Sequence, residues 1–146
     1  MRTHYRFGHA WHVAAAPERV RALVEDVGGY GRWWPAVRIL RGGGAPGSRT
    51  AEAVIAAPLG YGLRIRLAEA DPRGGELRAA ISGDLEGWCA WWLVPHGRGT
   101  AVRFAQEVEA RAPLLRLASP IAHRALARQH GAVLRAAADG MRAALA

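Results

Sequence analysis

The chain has 146 residues, 51% of them apolar, and a formal net charge of +8 in which every strongly basic residue is arginine. At this length about 68 to 70% of the unfolded surface is buried on folding, so no covalent or metal staple is required. The single Cys89 cannot close an internal disulfide, and no apolar run approaches the roughly 18 residues of a membrane span. The arginines are spread through every segment and form no block of like charge, which argues for a solvated surface over a nucleic-acid face. Arg2, His4, Arg6 and His9 occupy the place where a secretion signal needs its apolar core. The expectation is one cytoplasmic domain over residues 1–146, with no membrane insertion and no nucleic-acid partner.

Residues His4 to Val13 alternate, with Tyr5, Phe7, His9, Trp11 and Val13 on one side, which predicts a half-buried strand. Pro17 can open a short helix whose Val20, Leu23, Val24 and Val27 are spaced to cover a core, and Gly28-Gly29 would end it. Tyr30, Trp33 and Trp34 form an aromatic knot stopped by Pro35. Strand-like segments follow at Val37 to Arg41, Arg49 to Ala57, Tyr61 to Ala70, Glu76 to Leu85, Trp88 to Val94 and Thr100 to Arg111. Turn signals at Gly42 to Gly47, Pro58 to Gly60, Asp71 to Gly75, Gly87 and His96 to Gly99 separate them. The short connections imply an antiparallel meander. The glycine run at Gly42 is no phosphate cradle, because a strand follows it where a helix N-terminus would be needed.

The chain closes on a long amphipathic helix. Leu126, His130, Val133, Leu134, Ala137, Met141 and Leu145 recur at three- and four-residue steps, while Arg124, Arg128, Arg135, Asp139 and Arg142 fall opposite. Counted from Pro120 behind Ser119, it would be roughly 37 Å long and cross the molecule. Gly131 and Gly140 each cost about 1 kcal/mol against Ala there, so packing must hold the element. A curved sheet with this helix across its concave face buries both apolar sides and leaves room for a cavity.

Metal chemistry is tested by distance. His4 and His12 would lie about 26 Å apart on one strand, and His123 and His130 about 10 Å apart along the helix; neither pair can share an ion. Cys89 lacks the surroundings of a nucleophile and reads as a small buried hydrophobe. Asp84 and Glu86 read as an exposed hairpin edge, and Glu107 and Glu109 with Arg103 and Arg111 as a solvated charge ladder. No metal and no cofactor is expected.

Taken together, AAPERVRALVED at Ala15 to Asp26, YGRWWP at Tyr30 to Pro35, GDLEG at Gly83 to Gly87, GT at Gly99-Thr100 and QHGAVLRAAADGM at Gln129 to Met141 resemble the START-like or SRPBCC superfamily, in its polyketide cyclase/dehydrase-like branch. The resemblance runs from about residue 5 to residue 145. It implies an α+β helix-grip (START/Bet v 1-like) fold: about seven antiparallel strands wrapped around a C-terminal helix, two short helices after the first strand, and a deep hydrophobic cavity. Members of the superfamily include aromatases and cyclases, lipid carriers, hormone receptors and quinone-binding proteins, so the resemblance implies no single function.

It also suggests residues. Similar sequences carry a cavity tryptophan that Trp92 matches, an aromatic near the cavity mouth that Tyr30 matches, and a helix histidine that His130 matches. With Trp34, Trp88 and Leu134 these make the expected ligand-binding set; alternation puts Trp88 and Trp92 on one strand face and Trp91 on the other. Gapless counting places Arg66 at a cavity arginine of the aromatase/cyclases, where a guanidinium would stabilise an enolate. Leu63, Ile65 and Leu67 alternate with Arg64 and Arg66, however, and an inward apolar set would turn both arginines to water. His130 is a catalytic candidate with Arg66, or a histidine satisfied within the core. The leading expectation is binding of a polyketide- or lipid-like hydrophobic molecule by a monomer or weak homodimer; the alternative is a polyketide aromatase/cyclase acting on a poly-β-ketone. A partner-binding module using the basic surface is a third.

Overall fold

The computed structural model describes residues 4–56, 62–111 and 119–146. The expected turn Pro58 to Gly60 lies outside the described residues, as do the side chains of His123 and Leu126. Seven strands, β1 (His4–Val13), β2 (Val37–Gly43), β3 (Thr50–Ala56), β4 (Gly62–Ala70), β5 (Leu77–Gly83), β6 (Leu85–His96) and β7 (Gly99–Ala110), form one sheet. Helix α1 (Pro17–Glu25) and a 3-10 helix (Val27–Arg32) follow β1, and α2 (Ser119–Leu145) ends the chain.

The sheet order is β1-β7-β6-β5-β4-β3-β2, and every pair is antiparallel. The first strand therefore pairs with the last, and β2 to β7 follow one another as a meander. Along β1, Tyr5, Trp11 and Val13 are buried while His4, Arg6, Gly8, Ala10 and His12 are exposed, so side-chain alternation sorts the strand as expected.

Several elements differ from the expected bounds: β2 runs on to Gly43, β5 spans Leu77–Gly83 instead of Glu76 to Leu85, and Gly87, expected as a turn, lies inside β6. The first helix stops at Glu25, where Asp26 leaves helical backbone angles, and the Gly28-Gly29 segment coils on as the 3-10 helix that carries Tyr30. Strand β6 is longer than Trp88 to Val94, because its pairing with β7 runs from Leu85↔Ala110 to His96↔Gly99 around a two-residue turn, Gly97-Arg98.

Helix α2 buries His130, Val133, Leu134, Ala137, Ala138, Met141 and Leu145 and exposes Arg124, Arg128, Arg135, Asp139 and Arg142. Its stripe joins the inward residues of the sheet in one core. Gly140, costly by propensity, has a steric reason: a Cβ there would sit 1.7 Å from the Trp33 carbonyl oxygen. The helix can cross the aromatic knot closely only where it lacks a side chain. The Trp34 indole N–H donates to the Val133 carbonyl at 3.0 Å, and Arg142 Nε donates to the His12 carbonyl at 3.1 Å. Knot, helix and first strand are thereby tied together.

Candidate functional site: a cavity between sheet and helix

The inward faces of the strands do not meet α2 along its whole length. They leave a cavity of about 480 Å³, within the range of small-molecule sites. Its apolar wall comes from alternate residues of neighbouring strands: Leu63, Ile65 and Leu67 of β4, Ile81 of β5, Leu85 and Trp91 of β6, and Phe104 of β7. Tyr30 and Trp34 come from the knot, Phe7 from β1, and Gln129, His130 and Val133 from α2.

Trp91 is the centre of the aromatic wall. Its ring meets those of Trp11, Tyr30, Trp33, Trp34 and Phe104 at centroid distances between 4.7 and 6.4 Å, mostly edge to face, an arrangement that satisfies the ring quadrupoles. Trp88 and Trp92 stand on the opposite face of the same strand. They are outside the cavity wall, and the guanidinium groups of Arg78 and Arg103 lie 4.4 and 4.5 Å from their ring centroids. The expected inward pair is thus corrected to Trp91. The reason is register: Trp91 pairs with inward Phe104, and Trp92 with outward Arg103.

Arg66 is also corrected. It is exposed, opposite Glu52 of β3, while Leu63 and Ile65 on alternate positions of β4 are buried. The inward apolar set turns both Arg64 and Arg66 to solvent, which avoids an unpaired buried charge. Leu134 is buried in the core but lies off the cavity; Val133, one residue earlier on α2, lines it. Tyr30, Trp34 and His130 line the cavity. Asp84 accepts the Arg64 backbone N–H at 2.8 Å and so clamps the β5–β6 turn to β4, while Glu86 pairs with Arg111.

Four polar groups of the wall, His130, Cys89, Tyr30 and Gln106, are uncharged near neutral pH. His130 is 8% exposed, packs on the Phe7 ring at 3.8 Å between centroids, and its Nε2 is buried without a hydrogen-bond partner among the described residues. Burial lowers its pKa to about 4, because desolvation penalises the imidazolium. Burial likewise pushes the Cys89 thiol up to about 12, which removes it as a thiolate nucleophile. The Tyr30 phenol is raised by burial, with the neighbouring Cys89 adding to it, and its hydroxyl donates to the Val24 carbonyl. Gln106, paired across the sheet with Phe7 and Cys89, adds a neutral amide. Its position inside β7, between Phe104 and Val108 on the inward side, was the available signal for a polar residue facing the cavity.

Formal charges also line the cavity, as ion pairs that are partly exposed except for the buried Glu76–Arg78 pair. Arg49 Nη1 contacts Glu25 at 3.2 Å and Glu69 at 3.8 Å, and Arg21 contacts Glu25 at 2.9 Å. Glu76 takes the backbone N–H groups of Arg73 and Gly74 and the Arg78 guanidinium; these bonds, the Arg73 N–H foremost, hold its carboxyl at about 2. No group of three or more His, Cys, Asp or Glu side chains suited to a metal ion occurs among the described residues. No helix among them is long and apolar enough to cross a membrane.

Solved structures resemble this fold over nearly its whole length. A protein from Thermus thermophilus superposes with a TM-score of 0.74 at 19% identity, covering 97% of this chain and 100% of its own. A START superfamily protein from Mycobacterium smegmatis gives 0.70 at 19%, with 96% of each chain covered. The Zhui aromatase/cyclase from Streptomyces sp. R1128 gives 0.67 at 16%, covering 97% of this chain and 91% of its own. At these identities the likeness is one of fold. No curated protein matches the chain in sequence. The family model described as polyketide cyclase / dehydrase and lipid transport matches residues 6–146, and the chain belongs to that family.

Proposed function

We propose that the protein binds a neutral hydrophobic or aromatic small molecule in the cavity between sheet and α2, as a carrier or sensor. One observation carries this reading: the cavity of about 480 Å³ is walled by aromatic and aliphatic side chains, and its inner polar groups, His130, Cys89, Tyr30 and Gln106, are neutral near neutral pH. Such a wall favours an uncharged ring system and disfavours a carboxylate, because the arginines that line the cavity, Arg21, Arg49 and Arg78, are already held by carboxylates. The proposal assigns it no cofactor and no nucleic acid, and places it in the cytoplasm as a monomer or weak homodimer.

Intrinsic fluorescence tests it directly, since Trp34 and Trp91 both line the cavity. A multi-ring phenol, a flavonoid, a quinone and a long-chain fatty acid are titrated in turn. Saturable quenching by the ring compounds at micromolar concentration, about −8 kcal/mol of binding free energy, is the expected result. Absence of saturation with every compound would remove the reading.

A second reading, a polyketide cyclase, is favoured by buried His130 at the cavity wall, whose Nε2 has no partner among the described residues. A neutral imidazole there can exchange a proton with a substrate oxygen or carbon. Enolate stabilisation by a guanidinium has less support, because Arg66 is outside, and the cavity-lining Arg21, Arg49 and Arg78 are held by carboxylates. Turnover of a poly-β-ketone mimic that is lost in His130→Leu while its affinity survives would replace the carrier reading with this one.

A further inference from the structure

Most of the polar side chains that line the cavity are already engaged. The Tyr30 hydroxyl donates to the Val24 carbonyl, Arg21 and Arg49 are held by Glu25, and Arg78 by Glu76. Cys89 carries only a weak donor and is tolerated as a small hydrophobe. Gln106 and His130 are different. Each is 8% exposed and each lines the cavity, yet neither the Gln106 amide nor His130 Nε2 has a hydrogen-bond partner among the described residues. A polar group withdrawn from water and left unbonded is unfavourable, so each such group calls for a partner.

The strand that carries Gln106 shows how the fold treats its other inward positions. Along β7 the inward residues Val102, Phe104, Val108 and Ala110 are apolar, and the hydroxyl of buried Thr100 donates to the Ala15 carbonyl at 2.7 Å. Gln106 alone in that row is polar and unbonded. It also shares a neighbour with His130. Gln106 is the cross-strand partner of Phe7, and the Phe7 ring carries the His130 imidazole at 3.8 Å between centroids. Opposed side chains of adjacent strands stand about 5 Å apart at Cβ, so both polar groups gather around one phenyl ring.

We propose that Gln106 and His130 together form the polar recognition point of the cavity, and that the ligand is a ring compound with a hydroxyl or ketone oxygen on the edge that meets Phe7. The inference rests on the reading that the cavity holds a hydrophobic ring compound, and it adds which edge of that compound is polar. The chemistry of the pair defines the oxygen. A primary amide offers two N–H donors and a carbonyl acceptor, and a neutral imidazole donates from one nitrogen and accepts at the other. A hydroxyl, which donates and accepts, or a ketone, which accepts, completes such a pair. A carboxylate brings a charge that two neutral groups do not balance, and a hydrocarbon leaves both groups bare.

2-Naphthol and 2-methylnaphthalene are nearly alike in shape and differ in one hydroxyl. Both are titrated, together with 2-naphthoate, against the full chain, Gln106→Met and His130→Leu by quenching of tryptophan fluorescence; the methionine keeps the length of the side chain and removes the amide. The wild type is expected to bind naphthol about tenfold more tightly than methylnaphthalene, the equivalent of one hydrogen bond, and naphthoate more weakly than naphthol. In Gln106→Met naphthol should lose affinity and methylnaphthalene gain it, so that the ratio falls toward one, and His130→Leu should move the ratio the same way. A group kept for a ligand does not hold the empty fold together, so the urea midpoint of Gln106→Met is expected to equal or exceed that of the wild type. Gln106→Leu takes its place if the methionine variant does not unfold cooperatively. A lowered midpoint with an unchanged ratio marks Gln106 as structural and overturns the assignment, as does a ratio that neither substitution moves. Tighter binding of naphthoate than of naphthol overturns the neutral oxygen. Equal binding of naphthol and methylnaphthalene by the wild type overturns the recognition point and leaves the cavity reading standing, whereas failure of both to bind overturns the cavity reading itself.

Discussion

Strand β6 carries tryptophan on both of its faces, and the two faces are chemically unlike. Inside, Trp91 meets five other aromatic rings and is 4% exposed. Outside, Trp88 and Trp92 are half-buried, each covered by a guanidinium from a neighbouring strand, with the fully buried Ala90 between them. The outer pair uses cation–π contact to cover apolar surface that faces water. Residue type alone therefore does not mark a ligand wall; the face does.

The difference can be tested by substitution. Trp91→Ala removes the centre of the inner wall and is expected to cost about 3 to 5 kcal/mol in urea unfolding, with loss of saturable ligand quenching. A cost below that of the outer tryptophans would contradict the ring cluster. Next in size is a pH effect of the inner wall. His130 has its folded pKa lowered to about 4 from the ordinary 6.5, so the unfolded chain takes up a proton first. Its contribution is complete above pH 6.5 and is lost as pH falls toward 4, by at most about 3 kcal/mol. Unfolding of wild type and His130→Leu compared across that interval should show the slope only in the wild type.

Smaller effects belong to the outer face. Trp92→Ala is expected to cost about 1 kcal/mol, the scale of an exposed cation–π contact with its packing, and to leave ligand affinity unchanged; a tenfold loss of affinity would move the ligand to the outer face. Smallest of all, Arg66→Ala should alter stability by less than about 0.5 kcal/mol and binding not at all.

Much of the fold could be read from the chain because alternation and helical spacing are local. The bounds of β1 at His4 and Val13, and the buried stripe of α2 from His130 to Leu145, follow from periodicity. The site was harder, since it depends on which face turns inward. For β4 the apolar alternation of Leu63, Ile65 and Leu67 already opposed an inward Arg66, and the buried set lies where that alternation put it. For β6 the resemblance favoured Trp92, but the Gly97-Arg98 turn pairs His96 with Gly99, and counting back from it sets Trp91 against Phe104. Phe104 alternates with Arg103, so its side was known, and that count would have identified Trp91. Leu134 against Val133 is a matter of helix rotation, set by the Trp34 hydrogen bond to the Val133 carbonyl and by the crossing at Gly140. No local pattern carries either.

The crossing at Gly140 also has a mechanical side. With the Trp33 carbonyl against bare backbone at that point, α2 is held as a beam is held by a fulcrum, and a swing about it works against the Trp34 hydrogen bond to the Val133 carbonyl. Displacement grows with distance along the beam, being slight at Met141 and larger at His130, about 15 Å away at 1.5 Å per residue. His130, Gln129 and Val133 all lie on that longer arm and all line the cavity. A guest bulkier than the resting volume would therefore widen the chamber at the His130 end and leave the packing around Met141 and Leu145 in place.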